Sequence, residues 1–407
     1  MGDDTPVSHP APIFSVEPEE RASNTRSVPR ALQCCTTRED LLPALALMQA
    51  IAEKRSSLPI LAHVYLQAHP EGNLELRATD LELGLTCSCP ATVKAAGACT
   101  VEARRLYEIV RALPPGEFRL EASASTSTSS ALTLTYNKSR FRFPSLDPQE
   151  FPHLALPDAV EHTIQIPAMT LRDMIDKTLF ASASDETRLQ LHSVFFEPCS
   201  GEHVRLVASD GHRLALIERA VPGLPADLQP VLLPLKGLAE ARKLLEPAKD
   251  EHAILTFSKA VVTLAVATTT LTLRVVDAEF PAYRDVIPAQ HTHRLTVSRT
   301  DLTAALRRLL VLTTEQARGV VIKVERSRME LSVKSPDLGE GVEEVPVEYT
   351  GPGITIGFNG RYLLDMLGVV ETAERVMMAL TEPAHPGVLS VHNDDSYQYI
   401  VMPMRTF

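Results

Sequence analysis

The chain has 407 residues, a length typical of two to four domains. Its 44% apolar content can fill several cores, and no run of 18 apolar residues is present, so the sequence predicts no membrane-spanning helix. A net charge of −11 argues against a protein that is basic throughout and binds nucleic acid by bulk charge, although the distribution of charge matters more than its sum.

Residues 1–30 are rich in Pro, Ser, Glu and Arg and have almost no apolar periodicity, so we expect a disordered extension. Acidic residues come early and no apolar signal core follows, which predicts a cytoplasmic protein. The six cysteines include no Cys-x-x-Cys pair and are expected to be reduced thiols.

An amphipathic helix is predicted to begin at Thr37, with apolar positions at Leu41, Leu45 and Met48. Pro43 removes one hydrogen bond early in this helix and predicts a kink or a frayed first turn. Next, a strand is predicted with Ile60, Ala62, Val64, Leu66 and Ala68 on one face, in an antiparallel hairpin. A second helix is predicted from Ala103 to Leu113, followed by strands at 117–122, 131–136 and 139–144.

Several features recur at intervals of about 130 residues, which indicates an internal repeat. The strand-turn-strand pattern around Asp210-Gly211 has weaker copies at Asp80 and Asp337. Helix-start boxes occur at Thr37/Asp40, Thr170/Asp173 and Ser298/Asp301. The motif Glu150-Phe151-Pro152 recurs at 279–281.

The later repeats follow the order of the first, with helices predicted at 170–181, 236–246, 298–313 and 360–371. The sequence therefore predicts an α+β protein of three tandem domains, each with two helices on one face of a curved antiparallel sheet. The predicted boundaries are 1–30 for the extension, then 31–158, 159–288 and 289–407 for the domains.

The predicted helical segments carry 15 Lys and Arg against 11 Asp and Glu, so the rest of the chain carries a charge of −15. If the helices share one side of an arc, that side is positive and suits sequence-independent contact with a DNA backbone. Taken alone, the charges fit equally well with surface helices whose cations serve only solubility.

The sequence resembles a known family, the bacterial DNA polymerase III β subunits, or sliding clamps. The matching segments run from about residue 32 to the C-terminus in the family's order: 57–61, 78–82, 139–141, 150–152, 208–215, 280–288, 356–359, 362–365 and 399–405. The resemblance implies that two chains join head to tail into a ring of six domains. Such a ring encircles double-stranded DNA and confers processivity on a polymerase without doing chemistry, so it needs no cofactor or metal.

The resemblance also implies functional residues. Short apolar peptides of the replicative polymerase subunit, the clamp loader, other polymerases and repair proteins would bind a pocket between the second and third domains. Its residues would be Arg188, Leu191, Ser209, Gly211, His212, Arg213, Leu214, Pro234, Leu238, Asn359, Tyr362, Ile400, Met402 and Met404. Arg55 would contact DNA. The dimer interface would comprise Arg140, Phe141, Phe143, Val311, Leu312, Glu340, Glu343 and Glu344.

The sequence departs from the family at residues 1–30, at an acidic loop at 184–187, at Gly360-Arg361 and around 382–388. Two alternatives stay open. One is a clamp paralogue that serves repair or inhibitor resistance. The other is a hydrolase that uses Asp210 and His212, with His291 and His293 as metal ligands, although no third ligand or nucleophile motif supports it.

Overall fold

The computed structural model describes residues 31–52, 57–122, 130–152, 160–248, 250–314 and 318–404. The predictions for residues 1–30 and for Arg55 lie outside these ranges. Every helix in the described ranges is too short or too polar to cross a bilayer.

Three consecutive units share one order of elements, and the first unit has one additional short strand, Thr92–Ala95. In the first unit the helices are α1 Arg38–Ile51 and α2 Ala103–Ala112, and the strands are β1 Leu32–Thr37, β2 His63–His69, β3 Asn73–Thr79, β4 Leu83–Pro90, β5 Thr92–Ala95, β6 Gly97–Glu102, β7 Glu117–Ala122, β8 Ser130–Tyr136 and β9 Ser139–Ser145. In the second unit the helices are α3 Ala168–Asp176 and α4 Leu235–Leu245, and the strands are β10 His162–Pro167, β11 Ser193–Cys199, β12 His203–Ser209, β13 Arg213–Ala220, β14 Val231–Pro234, β15 His252–Phe257, β16 Val261–Val266 and β17 Thr269–Arg274.

The third unit repeats the arrangement. Its helices are α5 Arg299–Leu309 and α6 Gly360–Val369, and its strands are β18 His293–Ser298, β19 Gly319–Glu325, β20 Arg328–Ser335, β21 Gly339–Glu348, β22 Ile354–Asn359, β23 Arg375–Leu380, β24 Gly387–Val391 and β25 Asp394–Val401. The predicted α+β fold of three clamp-type units is confirmed.

Two of the three predicted helix-start boxes cap a helix. Thr37 Oγ1 accepts a hydrogen bond from the Asp40 amide at 3.2 Å, and Ser298 Oγ accepts one from the Asp301 amide at 3.3 Å. The prediction that a helix begins at Thr170 is wrong, because α3 begins two residues earlier at Ala168. There β10 runs directly into the helix, and the Ala168 amide bonds the Glu251 carbonyl instead of a side chain.

The first predicted strand also begins later than expected. Ile60 and Ala62 lie in a short 3-10 helix, Pro59–Ala62, because Pro59 has no N–H to give to a β-ladder. The strand starts at His63, and Val64, Leu66 and Ala68 face the core as predicted. Helix α1 continues through Pro43 to Ile51.

The repeated turns are built from the same hydrogen bonds. Ser209 Oγ accepts from the Gly211 amide, and Asp210 Oδ1 accepts from the amides two and three residues later. Thr79 and Asp80 make the equivalent bonds in the first unit. Short polar side chains that bond their own backbone explain why these turns were readable from sequence.

The sheets continue across the unit boundaries. The last strand of the second unit, β17, pairs antiparallel with β4 of the first unit. The last strand of the third unit, β25, pairs in the same way with β13 of the second unit. Apolar side chains between the sheets and the helix layer form a connected core through all three units. Each junction is therefore held by backbone hydrogen bonds as well as by packing.

Candidate functional site

The junction between the second and third units brings together residues from distant parts of the chain. Strand β13 pairs with β25, so Leu214 lies opposite Ile400. Beyond β25 the chain follows the turn of the second unit, where the Met402 amide donates to the His212 carbonyl at 2.8 Å. The Met404 amide then donates to the Gly357 carbonyl of the third unit at 2.8 Å.

Arg213 is the polar centre of this junction. Its Nε donates to Asp210 Oδ2 at 3.0 Å, its Nη1 to Asp365 Oδ2 at 2.6 Å, and its Nη2 to the Phe180 carbonyl at 2.8 Å. The guanidinium also lies over the Tyr362 ring, 4.3 Å from its centroid. One side chain thus connects the turn, the segment after α3, and α6.

The electrostatics of the junction favour the charged state of Arg213. Burial alone would lower the pKa of this guanidinium, but Tyr399, Asp365 and Asp210 more than offset burial and raise the pKa above its usual value. Burial raises the pKa of Tyr362, so its hydroxyl stays protonated. The junction therefore combines a permanently charged Arg213 guanidinium with a neutral Tyr362 ring.

An apolar surface lies beside this centre. Met404 is exposed and Met402 and Tyr362 are half-buried, whereas Leu214 and Ile400 are almost inaccessible. A methionine can adapt its shape to different apolar side chains, so two accessible methionines suit a groove for varied peptides.

The other predicted pocket residues on this side mostly have structural roles. Arg188 donates to the Asp210 carbonyl at 3.3 Å, and Ser209 donates to the Arg213 carbonyl at 2.8 Å. Leu191 is buried, and Asn359 caps α6 by accepting from the Arg361 amide at 2.9 Å. Gly211 and His212 are exposed at the turn. All of these lie at the second junction.

Pro234 and Leu238 lie elsewhere in the second unit. Leu238 is 2% exposed in the core. The neighbouring Gly237 packs against Leu273 and Leu83, the residues that pair at the first junction, and Lys236 forms an ion pair with Asp80 of the first unit. The structure therefore places Pro234 and Leu238 beside the first junction and does not bring them to the groove.

The segment after β17 is a part of the site that sequence reasoning treated as a linker. Tyr283 is buried in one cluster with Leu214 and Ile400, and Phe280 stacks on Phe195 at 5.1 Å. The Tyr283 hydroxyl donates to Glu197 Oε2 at 2.6 Å. The repeated Glu-Phe-Pro motif was a sequence signal for this role. In its earlier copy the phenylalanine also packs against an aromatic ring, with Phe151 5.4 Å from Tyr65.

The residues of the hydrolase alternative are used for structure. The carboxylate oxygens of Asp210 accept hydrogen bonds from the turn amides and from Arg213. His293 is buried against the Tyr349 hydroxyl, and burial lowers the pKa of His291. Within the described ranges no three His, Cys, Asp or Glu side chains are grouped to hold a metal ion.

Family models cover nearly all of the described chain. The DNA polymerase III beta subunit N-terminal domain matches residues 32–155, the central domain matches 165–282, and the C-terminal domain matches 284–405. The chain belongs to the DNA polymerase III β-subunit family. It is accordingly a sliding clamp.

Individual clamps resemble the chain along its length. The beta sliding clamp of Caulobacter vibrioides is 35% identical over 372 residues, 90% of this chain and 98% of the relative. That of Escherichia coli K12 is 32% identical over 371 residues, 90% of this chain and 98% of the relative. A Caulobacter crescentus clamp structure with bound PEG matches with a TM-score of 0.88, at 34% identity over 93% of this chain and 100% of that chain. A Pseudomonas aeruginosa clamp bound to griselimycin matches with a TM-score of 0.86, at 30% identity over 92% and 100%.

The predicted interface residues lie in the first and third units. Arg140, Phe141 and Phe143 lie on β9, the last strand of a five-stranded sheet. Val311 is 77% exposed on the short 3-10 helix Leu310–Leu312, which packs against β21. The acidic residues Glu340, Glu343 and Glu344 all lie on β21.

Part of the acidic run is already paired within the chain. Arg308 donates to both oxygens of Glu343 at 2.6 and 2.7 Å, and Arg328 lies 3.4 Å from Glu344. Hydrogen bonds from Arg308 lower the pKa of Glu343.

Many cations of the clamp's helix layer also face carboxylates. Arg104 pairs with Glu108 at 2.9 Å, and Arg242 pairs with Asp176. In the acidic loop 184–187, hydrogen bonds from Thr187 lower the pKa of Asp185. The unpaired positive charge of this layer is therefore confined to fewer positions than the count of residues along the sequence suggests.

Proposed function

We propose that two copies of the chain close head to tail into a ring that encircles double-stranded DNA and keeps a polymerase on it. The observation that carries this proposal is the repetition of one junction. In each internal junction the last strand of a unit pairs with the strand that follows the polar turn of the preceding unit. In one chain the equivalent strands β9 and β21 remain without such a partner among the described residues.

If β9 of one copy paired with β21 of the other, the open edges of both strands would gain backbone hydrogen-bond partners. Residues 339–346 of β21 pair only with β20 among the described strands, and β9 pairs only with β8. Edges of this kind are association sites, and a head-to-tail contact between two copies closes after six units. Arg140 of one copy would then lie near Glu340 of the other.

The helix ends support the same contact. At the second junction Phe180, on the 3-10 helix after α3, lies 5.7 Å from the Tyr399 ring of β25. Val311 holds the equivalent position after α5 and is largely exposed in the single chain. Phe141 of a second copy would cover it, and this apolar contact contributes more than exposed ion pairs do.

The groove at the second junction would bind apolar peptide segments of the replicative polymerase subunit, the clamp loader, and other polymerases and repair proteins. Support comes from exposed Met404 and half-buried Met402, which follow the strand that pairs with β13, and from the Arg213 contacts that fix this junction. The ring stays on DNA by topology, holds its protein partners through the groove, and carries out no reaction of its own.

The test of the proposal is retention on DNA of different topology. The clamp is loaded by its cognate loader onto a nicked circular plasmid and separated from free protein by gel filtration. Linearising the plasmid should release the clamp, and blocking both ends with streptavidin should restore retention. Equal retention on circular and unblocked linear DNA would show ordinary binding and overturn the proposal.

A further inference from the structure

The arginines at the start of helix α2 face carboxylates of the same chain. Arg104 lies 2.9 Å from Glu108, and Arg105 lies 3.4 Å from Glu102. The two arginine side chains are 65% and 69% exposed, so burial does not force this pairing. A hydrogen bond from Arg104 lowers the pKa of Glu108, which keeps that carboxylate charged at neutral pH. Each pair therefore presents a dipole to solvent instead of a free cation.

A second group of paired charges connects helices α3 and α4. Arg172 lies 3.7 Å from Asp176 and 3.4 Å from Glu246, and Arg242 pairs with Asp176 as well. Two guanidinium groups and two carboxylates thus form a cluster without net charge. Glu246 is its most exposed member, and the other three are held between the helices or beside them.

The helix layer is the surface that would meet DNA in the proposed ring. The predicted helical segments carry a net positive charge, whereas the rest of the chain is strongly negative. Unpaired guanidinium groups in this layer would bind the phosphate backbone tightly and without regard to sequence.

Pairing changes the strength of that attraction. The field of a guanidinium in contact with a carboxylate is largely cancelled beyond a Debye length, which is about 10 Å at 0.1 M salt. Because exposed ion pairs are weak, an arginine can still exchange its carboxylate for a phosphate and then return. The paired layer therefore permits brief contacts with the DNA backbone and opposes lasting ones.

We propose that the paired carboxylates of this layer set the strength of the contact with DNA, because they compete with phosphate for the helix arginines. These carboxylates are Glu102, Glu108, Asp176 and Glu246. The inference rests on the proposed ring and goes beyond it, since a ring lined with free cations could also encircle DNA and would be held in place on it. With the carboxylates present, closure retains the ring while charge hinders its movement little.

The experiment measures the salt dependence of binding to a short labelled duplex by fluorescence anisotropy. The duplex has open ends, so a closed ring can thread onto it without a loader. The test variant is Glu102→Gln/Glu108→Gln/Glu246→Gln, which removes only exposed carboxylates and leaves Asp176 between the helices. Thermal melting followed by circular dichroism checks that the variant is folded.

The matched control changes the net charge equally and also breaks ion pairs. It is Glu121→Gln/Glu325→Gln/Glu348→Gln, whose glutamates pair with strand or turn cations. Each of these glutamates follows a core side chain in its strand, so it lies on the face of the sheet turned away from the helices.

The test variant should bind the duplex about tenfold more tightly than the wild type at low salt, since each cation that gains a phosphate steepens the plot of log affinity against log salt by about 1. Glu108→Gln alone should show a smaller change in the same direction, and the control should behave as wild type. Adding Arg104→Gln/Arg105→Gln to the test variant should remove most of the gain.

Two results overturn the proposal. An unchanged salt dependence of the folded test variant shows that the carboxylates do not compete with phosphate, and an equal gain in the control shows that net charge alone decides. Failure of the ring itself is distinguishable, because the wild type would then not be retained on circular DNA in the topology assay.

Discussion

Equivalent turns in the first two units place different residue types in the same backbone conformation. Gly211 has φ +91° and Leu81 has φ +79°, both in the left-handed region. This region costs a residue with a Cβ about 1 kcal/mol, and glycine nothing. Leu81 is half exposed, so little burial offsets its strain.

The two turns therefore predict substitutions of opposite sign. Gly211→Ala should lower the free energy of unfolding by about 1 kcal/mol, and Leu81→Gly should raise it by up to about 1 kcal/mol. Gly368→Ala is the control, since Gly368 lies in α6 with open space around it and alanine should stabilise the helix there. Urea unfolding measures all three. A destabilised Leu81→Gly protein would contradict the strain argument.

At the level of residues, the sequence predicts what local chemistry decides. The Asp210-Gly211 turn was readable because its side chains bond their own backbone. The left-handed φ of Leu81 was not predicted, because the Thr79 and Asp80 hydrogen bonds fix this turn although the residue after Asp80 is not a glycine. The place of Leu238 could not be read either, since helical spacing shows that it is buried and does not show against which junction.

Among the elements, α6 and the turn of the second unit are coupled through Arg213. The side chain is 11% exposed and fixed by three hydrogen bonds and a ring contact. Lysine keeps the charge but cannot reach several partners with one planar group.

Arg213→Lys should lower the free energy of unfolding by about 2 kcal/mol, and Arg213→Met by about 3 kcal/mol because it leaves Asp210 without its cation. Hydrogen exchange should increase in α6 and in the turn. It should stay unchanged in α2, which serves as the internal control. Wild-type stability of Arg213→Lys would show that the junction is held by strand pairing alone.

Helices and strands were predicted correctly where the apolar periodicity is strong, and the errors lie at the residues where elements begin. The span of α5 could be predicted from its apolar spacing and its Ser298 cap. Helix α3 begins earlier than its box at Thr170 because β10 delivers the chain directly into the helix, an effect of the sheet that no local signal records. Strand pairing between units, such as β17 with β4, joins segments too distant to be read without the repeat.

For the whole molecule, closure of the proposed ring depends on a small apolar contact between the third unit of one copy and the first unit of the other. Val311 is uncovered in the single chain, and Leu312 beside it packs towards Gly341 of β21. Introducing glutamate at both positions would bury two charges against the aromatic side chains of β9 in the second copy, beside the acidic β21. Burying unpaired charge is costly, so the dimer should dissociate.

Val311→Glu/Leu312→Glu should therefore give a mass near 44.6 kDa by light scattering, and the wild type about twice that value. Val160→Glu/Ile254→Glu provides the matched control, because both side chains are exposed and lie away from β9 and β21. The control should remain dimeric, and the test variant should also fail to stay on circular DNA while it still binds an apolar peptide at the second junction. A dimer that survives both charges would place the closing contact on other strands and remove the basis for the proposed ring geometry.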